Sequence, residues 1–425
     1  MTELNGPYSE QLLLEPQGSR KVIEREEKDA ERPLVRGTSL PALGILVCIA
    51  ALLLRPAEAQ LSLINLGHVN EGGLAQSVAI TGHYAFLANY GLGLVVYDVS
   101  DPAQPTSIAK TNDVGIATGI TLSGNYAYLA NGPDGLRIYD ISSPTNPINV
   151  GHFASTNSSA RASAVDIQGH YAYVAYGADG LRVFDNSDPA NPAGIGQAKD
   201  GGAEYVAVSG NYACVTSPNV NYTFRIYDVT DPANPTNVYR SGFGYAFAVA
   251  MSGNRAYVQR EDLGTISIYD LSDPRTPVEL SRNHVPGSCC TGAALSNDYF
   301  FLANSNDGLR VLNVANPTNV VEVGHANDAL RATAVAVSGS YVYLANNSDG
   351  LRIYAMAPQL TGTITSTNTL LFTWPAPAPF VLQQTADLNS AKWGSIQTAP
   401  STSEGRSALA LSPPAGRMFY RLVSR

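Results

Sequence analysis

Ser123-Gly124-Asn125-Tyr126-Ala127-Tyr128-Leu129-Ala130-Asn131, then Asp134-Gly135-Leu136-Arg137-Ile138-Tyr139-Asp140, reads as two β-strands and the turn that joins them. Apolar and small residues alternate with period two, as a strand requires. Asp134-Gly135 between the runs is a hairpin signal, because glycine tolerates positive φ. A proline turn follows, and Ile148-Asn149-Val150-Gly151-His152 adds a further short strand. With the apolar run that precedes Ser123, the unit offers four β segments separated by turn residues.

The unit recurs along the chain. Its anchor glycine, or the residue replacing it, falls at Gly82, Gly124, Gly169, Gly210, Gly253, Asn297 and Gly339, in steps of 41 to 45 residues. Clean copies of the second segment include Leu181-Arg182-Val183-Phe184-Asp185, and the two-proline turn returns in Asp101-Pro102-Ala103-Gln104-Pro105 and Asp231-Pro232-Ala233-Asn234-Pro235. Four strands per repeat at this period predict an all-β, seven-bladed β-propeller. An α-solenoid is excluded, since no helical periodicity occurs between Gln60 and Pro358. The last unit stops after Ile353-Tyr354 without an end-of-unit strand, whereas Leu61–His68 matches one. The N-terminal strand is therefore expected to close the last blade beside Leu351–Tyr354, which removes an exposed edge.

The Leu-Arg-Ile-Tyr-Asp pattern, its proline turn and the linked Ser-Gly-Asn-Tyr-Ala-Tyr-Leu-Ala resemble the LVIVD repeat of bacterial and archaeal surface proteins. The likeness covers residues 60–358. Unit six departs most, with Asn297-Asp298 for Gly-Asn, Leu312-Asn313 for Tyr-Asp and no second proline. The resemblance implies an extracellular propeller and supplies no catalytic residues. Residues 359–425 change character: Thr369–Pro375, Phe380–Gln384 and Met418–Leu422 are short β runs between Pro/Ser/Gly turns. They suggest a small β-sandwich and resemble the compact fibronectin-III-like modules appended to secreted bacterial proteins, although the stretch is shorter than a full sandwich of ~100 residues.

The first 59 residues read as a polar segment and an export signal. Residues 1–36 hold six basic and eight acidic side chains, and Leu40–Leu54 is apolar but interrupted by Pro41 and Gly44. Fifteen residues are short for a membrane span of about 20 and suit a signal h-region. Ala57-Glu58-Ala59 then offers a cleavage site before Gln60. The expected product is secreted or displayed at the cell surface, with a membrane contact only if residues 40–54 remain as an uncleaved anchor. The long preamble also fits a true start near Val35. Cys48 follows Val47 rather than a small residue, against a lipoprotein site. Removing residues 1–59 takes away seven basic and nine acidic residues and leaves a net charge of −7 from −9. That balance, with no Lys/Arg cluster, gives no footprint for nucleic acid. The remaining Cys214, Cys289 and Cys290 make no disulfide framework; Cys289-Cys290 has the alternatives of a vicinal disulfide or exposed thiol at the channel mouth, or of two small apolar residues in a tight loop.

Recurring charges are tempting sites. Asp134, Asp179, Asp307 and Asp349 stand three residues before Arg137, Arg182, Arg310 and Arg352. A residue repeated in most blades serves the blade, so these read as structural ion pairs, as does the series Asp98, Asp140, Asp185, Asp228 and Asp270. No EF-hand loop, H-E-x-x-H, G-x-S-x-G, Walker loop or dinucleotide fingerprint occurs, and no metal or cofactor is expected. His68, His152 and His325 hold equivalent positions in different blades.

Non-recurring residues at recurring positions carry the functional signal. Eight residues before the anchor lie Leu74, Ile116, Arg161, Gly202, Tyr245, Cys289 and Arg331; six before it lie Gln76, Thr118, Ser163, Glu204, Phe247, Thr291 and Thr333. In a propeller these ring one mouth of the central channel. Arg161, Glu204, Tyr245 and Arg331 are the candidate ligand contacts. The reading is a monomeric, non-enzymatic scaffold that binds an extracellular protein or glycan. The rival is an extracellular polysaccharide hydrolase or lyase, with Glu204 as acid/base beside Arg161 and Tyr245.

Overall fold

The structure, a computed structural model, describes residues 12–14, 61–112, 115–217, 224–242, 245–260, 264–287, 291–327, 330–358, 361–365, 369–375, 380–386, 393–403, 406–412, 414 and 418–424. The apolar run 40–54, the cleavage site after Ala59, and Cys289-Cys290 lie outside the described residues. Two compact units emerge: Ser62–Met356, and Ala357–Arg425 with the N-terminal residues up to Leu61.

The larger unit consists of seven four-stranded sheets. Blade 2 is typical: Gly119–Ser123, Tyr126–Ala130, Leu136–Asp140 and Ile148–Phe153 pair antiparallel in sequence order, from innermost to outermost. The second strand is buried almost throughout, Ala127 to Ala130 on both of its faces. That follows from its position between two neighbouring blades, and Tyr128-Leu129 with small Ala127 and Ala130 fits the narrow gap there. The outermost strand carries most of the exposed positions. A β-bulge interrupts the pairing of third and fourth strands at the same point in blades 1 to 6.

The anchor glycines have φ between +56° and +62°, and blade 6 meets the same demand with Asn297 at +50°. A Cβ added at Gly124 would touch nothing within 4 Å, so backbone conformation alone selects glycine there. Asparagine is the side-chain-bearing residue that best tolerates this region. Departure of unit six from the repeat thus keeps the turn.

Closure is carried by hydrogen bonds equivalent to those between internal blades. Thr118 Oγ1 of blade 2 donates to Ala162 O at the threshold of blade 3 (3.2 Å), and Gly132 N–H donates to the same carbonyl (3.0 Å). Between blades 7 and 1, Thr333 Oγ1 donates to Ala75 O (2.8 Å) and Ala75 N–H to Asn347 O (2.9 Å). Leu61–Val69 joins Leu351–Pro358 as the outermost strand of blade 7, as the sequence predicts. It occupies a true outer-strand environment. A Cβ on Gly67 would lie 2.5 Å from Pro102 O of the next blade, just as Gly151 and Gly196 face Pro189 O and Pro232 O at 2.0 and 2.1 Å.

The smaller unit holds two four-stranded sheets. One is Thr361–Ile364, Leu370–Pro375, Arg406–Leu411 and Ser401–Ser403; the other is Leu12–Leu14, Met418–Ser424, Phe380–Thr385 and Gly394–Ser395. Leu370, Phe372 and Leu409 of the first pack with Leu382 and Tyr420 of the second in one apolar cluster, which is a small β-sandwich.

Candidate functional site

The recurring charges serve the blades. Arg137 Nε donates to Asp134 Oδ2 (2.5 Å), Arg310 Nε to Asp307 Oδ2 (2.5 Å), Arg182 lies 3.4 Å from Asp179, and Arg352 donates to Asp349. Asp134, Asp307 and Asp349 also accept from the Asn131, Asn304 and Asn346 side chains (2.9, 2.9 and 2.7 Å), and Asp179 from Ser155 and Asn157 (2.7 and 2.8 Å). The outermost strand completes each cluster. His152 Nε2 and His325 Nε2 sit 2.7 and 2.9 Å from the carbonyls of Asp134 and Asp307, Gln197 Nε2 donates to Asp179 O (2.9 Å), and His68 lies 3.3 Å from Asp349. The equivalent histidines therefore tie the outermost strand to the turn between the second and third strands. Arg182 also covers the neighbouring blade, its guanidinium 4.8 Å from the Phe153 ring centre.

Blades 4 and 5, which lack the Asp-Gly hairpin, substitute other acids. In blade 4 the nearly inaccessible Arg225 pairs with Asp200 (3.4 Å), which also accepts from Tyr227 and Asn237. In blade 5 Glu279 binds Arg282 (2.7 Å) and Ser267 (2.6 Å). The second aspartate series forms Asx turns: Asp98, Asp140, Asp185, Asp228 and Asp270 each accept a backbone N–H two residues on, at 2.8 to 3.0 Å.

The innermost strands of all seven blades line a central cavity of about 370 Å³. At its mouth five of the seven residues six before the anchor fall into two kinds. Thr118, Thr291 and Thr333 donate to carbonyls of the following blade and so staple the ring. Ser163 and Glu204 instead meet each other across blades 3 and 4. Burial raises the Glu204 pKa above the usual carboxylate range, and this outweighs the lowering by a hydrogen bond with Ser163 and the charge of Arg161. Arg161, Ser163 and Glu204 thus form one group.

Arg161 and Arg331 are exposed side chains on fixed backbone. Ala162 exchanges both backbone hydrogen bonds with Gly132 (2.9 and 3.0 Å). Arg331 N–H donates to Asn346 Oδ1 (2.8 Å), and Ala332 N–H to Ser305 O (2.9 Å). Tyr245, 39% exposed, stands on the threshold of blade 5. The structure therefore unites two of the four candidates, Arg161 and Glu204, and leaves Tyr245 and Arg331 on other blades of the same rim.

One channel residue escaped the sequence reading. Asp166 occupies a place where most other blades have alanine, and its carboxylate accepts from Ile167 N–H (2.9 Å) and, across the blade gap, from Val208 N–H (2.8 Å). Burial raises its pKa more than those two bonds lower it. Both oxygens are engaged, Oδ1 within blade 3 and Oδ2 across to blade 4, about 10 Å along the strand from Ser163. Aligning the repeats flags Asp166 as off-type; only the blade-to-blade register shows its partner. Cys214, where other blades have Tyr or Phe, is fully buried, and burial pushes its thiol pKa well up. Among the described residues no three His, Cys, Asp or Glu converge as a metal-binding group.

The fold and its ring of repeated staples define a seven-bladed β-propeller built from one repeat, carrying a second, sandwich-type unit. The chain belongs to the LVIVD-repeat family, whose model matches residues 72–113, 114–155, 160–199, 200–240, 243–284, 290–328 and 331–353. Two solved structures show the same fold at low identity. The WD40 β-propeller domain of Doa1 is 12% identical with a TM-score of 0.55, covering 70% of this chain and 96% of that one. The computationally designed Ika8 protein is 9% identical with a TM-score of 0.52, covering 70% and 99%. Comparison with curated proteins gives no match.

Proposed function

We propose that this protein is an exported propeller scaffold that binds an extracellular protein or glycan at the channel mouth bearing Arg161, Glu204, Tyr245 and Arg331. One observation carries the reading. The repeated charges are engaged within or between blades, whereas Arg161 and Arg331 are exposed on hydrogen-bonded backbone and Tyr245 is exposed on the same rim. Exposed side chains on a rigid scaffold suit recognition, because little ordering cost remains on binding. The apolar run 40–54 and Ala57-Glu58-Ala59 support export, and the sandwich unit, similar to fibronectin-III-like modules, would tether or extend the propeller.

Glu204 favours the second reading, polysaccharide hydrolysis or elimination, since a carboxyl with a raised pKa next to an arginine has the properties of a general acid. Glycoside hydrolysis by the usual route uses two carboxylates; Asp166 is committed to backbone N–H groups of two blades, which supports binding over hydrolysis. The test is to probe immobilised protein with a glycan array and with the secreted proteins of a bacterial culture, comparing wild type with Arg161→Ala/Arg331→Ala. A ligand retained by wild type and lost by the variant at unchanged melting temperature supports the reading. Ligands held equally by both, or consumption of a glycan abolished by Glu204→Gln, would overturn it.

A further inference from the structure

The charge around the propeller is distributed unequally between its two rims. The rim that carries the proline turns bears Asp98, Asp140, Asp185, Asp228, Asp270 and Asp273 among other aspartates, many capping backbone N–H groups. Capping at that density keeps them ionised, and Arg255 and Arg275 are few against them. On the opposite rim the hairpin aspartates are each neutralised by a partner arginine. At the two aligned positions of the channel mouth the charged residues are Arg161 and Arg331, with Glu204 as the one acid. In a chain of net charge −9 these aligned positions thus hold two arginines against one acid. Blades 3 and 7 are three steps apart around a seven-fold ring, about 150°, so the two arginine positions lie on nearly opposite sides of the channel axis. Tyr245 and Tyr90, 39% and 43% exposed, stand on the same rim; Tyr90 pairs in register with Leu74, the blade-1 counterpart of Arg161.

Resting on the binding reading above, we propose that the ligand is an acidic polysaccharide engaged over the channel axis, its carboxylates held by Arg161 and Arg331 and its sugar rings stacked on Tyr245. Guanidinium groups pair bidentately with carboxylates, and aromatic faces with a polar tip suit pyranose rings, which are apolar on their faces and polar at their edges. The Ser163–Glu204 pair supplies hydroxyl and carboxyl partners for sugar hydroxyls between those anchors. The aspartates of the proline-turn rim leave the opposite mouth, with its two arginines, as the end that a polyanion would approach.

The experiment is a binding titration of the intact protein with three probes: polygalacturonate oligomers, a neutral galactan and poly-glutamate. Polygalacturonate should bind, weaken about tenfold or more on raising salt from low to high ionic strength, and weaken about tenfold for each of Arg161→Ala and Arg331→Ala. Arg255→Ala, which removes a positive charge from the opposite rim, should leave the affinity within twofold. Tyr245→Ala should weaken polygalacturonate and leave poly-glutamate unchanged. Neutral galactan bound as tightly as polygalacturonate, and lost with Tyr245→Ala, would overturn the acidic class while keeping the binding face. Poly-glutamate as the preferred probe would overturn the glycan class. Polygalacturonate bound undiminished by an Arg161→Ala/Arg331→Ala/Tyr245→Ala variant would overturn the face itself, and no binding of any probe would overturn the proposal.

Discussion

Asn186 is a local conflict in an otherwise self-consistent ring, and replacing it should stabilise the protein. It follows Asp185 at the end of the third strand of blade 3, where other blades place Val99, Ile141, Val229, Leu271 and Val314, all buried. Asn186 is 4% exposed, and neither its Nδ2 nor its Oδ1 has a hydrogen-bond partner among the described residues. A buried polar group without a partner costs about 1–3 kcal/mol, and valine at this site adds apolar burial in place of the amide. Asn186→Val is therefore expected to stabilise by roughly 2–3 kcal/mol, allowing for overlap between the two polar atoms. For a unit of this size about 2–4 °C accompanies each kcal/mol. The assay is urea unfolding at constant slope, backed by calorimetry, with Val99→Asn in blade 1 as the reciprocal change. A midpoint that stays put or falls for Asn186→Val would refute the reasoning, because it would mean that the amide is satisfied or that the site requires it.

Gly308→Ala should destabilise by about 2–4 kcal/mol in thermal unfolding, since φ is +84° and a Cβ would stand 2.2 Å from Ala326 O; Gly124→Ala, with open space around it, should cost only the conformational part, about 1–2 kcal/mol. Acid should loosen the propeller. The Asx-turn carboxylates Asp140, Asp185 and Asp270 have pKa values lowered by their hydrogen bonds to the serine two residues on. A depressed folded pKa gives stability that is present above the unfolded value of about 3.9 and lost as pH falls through the folded one. Urea midpoints should therefore drop below pH 4. Asp166 runs the other way: its raised folded pKa gives stability present below about 3.9 and lost as pH rises through the folded value, so Asp166→Asn should flatten that limb of the profile.

The blade was legible because its determinants are local: alternation, Asp-Gly hairpins and proline turns all lie within one repeat. Closure by Leu61–Val69 was legible too, as a strand missing at one end and present at the other. The pairing of Asp134 with Arg137 also lies within one hairpin. Contacts between blades were another matter. Ser163 meets Glu204, and Asp166 meets Val208, at separations of 41 and 42 residues, where only the blade-to-blade register fixes the partner. Likewise, the threonines six residues before the anchor looked like variable rim positions; they are staples because their hydroxyls reach the next blade's carbonyl. Glu204 differs from them by having no such carbonyl bond among the described residues.

The most direct test of the division between blade-serving and ligand-serving residues is a crossed comparison of Arg137→Ala with Arg161→Ala/Arg331→Ala, measuring urea stability and polygalacturonate affinity on each. Arg137→Ala should lose about 1–2 kcal/mol of stability with affinity retained, whereas the double variant should keep its stability within about 0.5 kcal/mol and lose binding. A destabilised double variant, or one that binds as wild type while Arg137→Ala does not, would contradict the assignment of recurring residues to the blade and singular ones to the ligand.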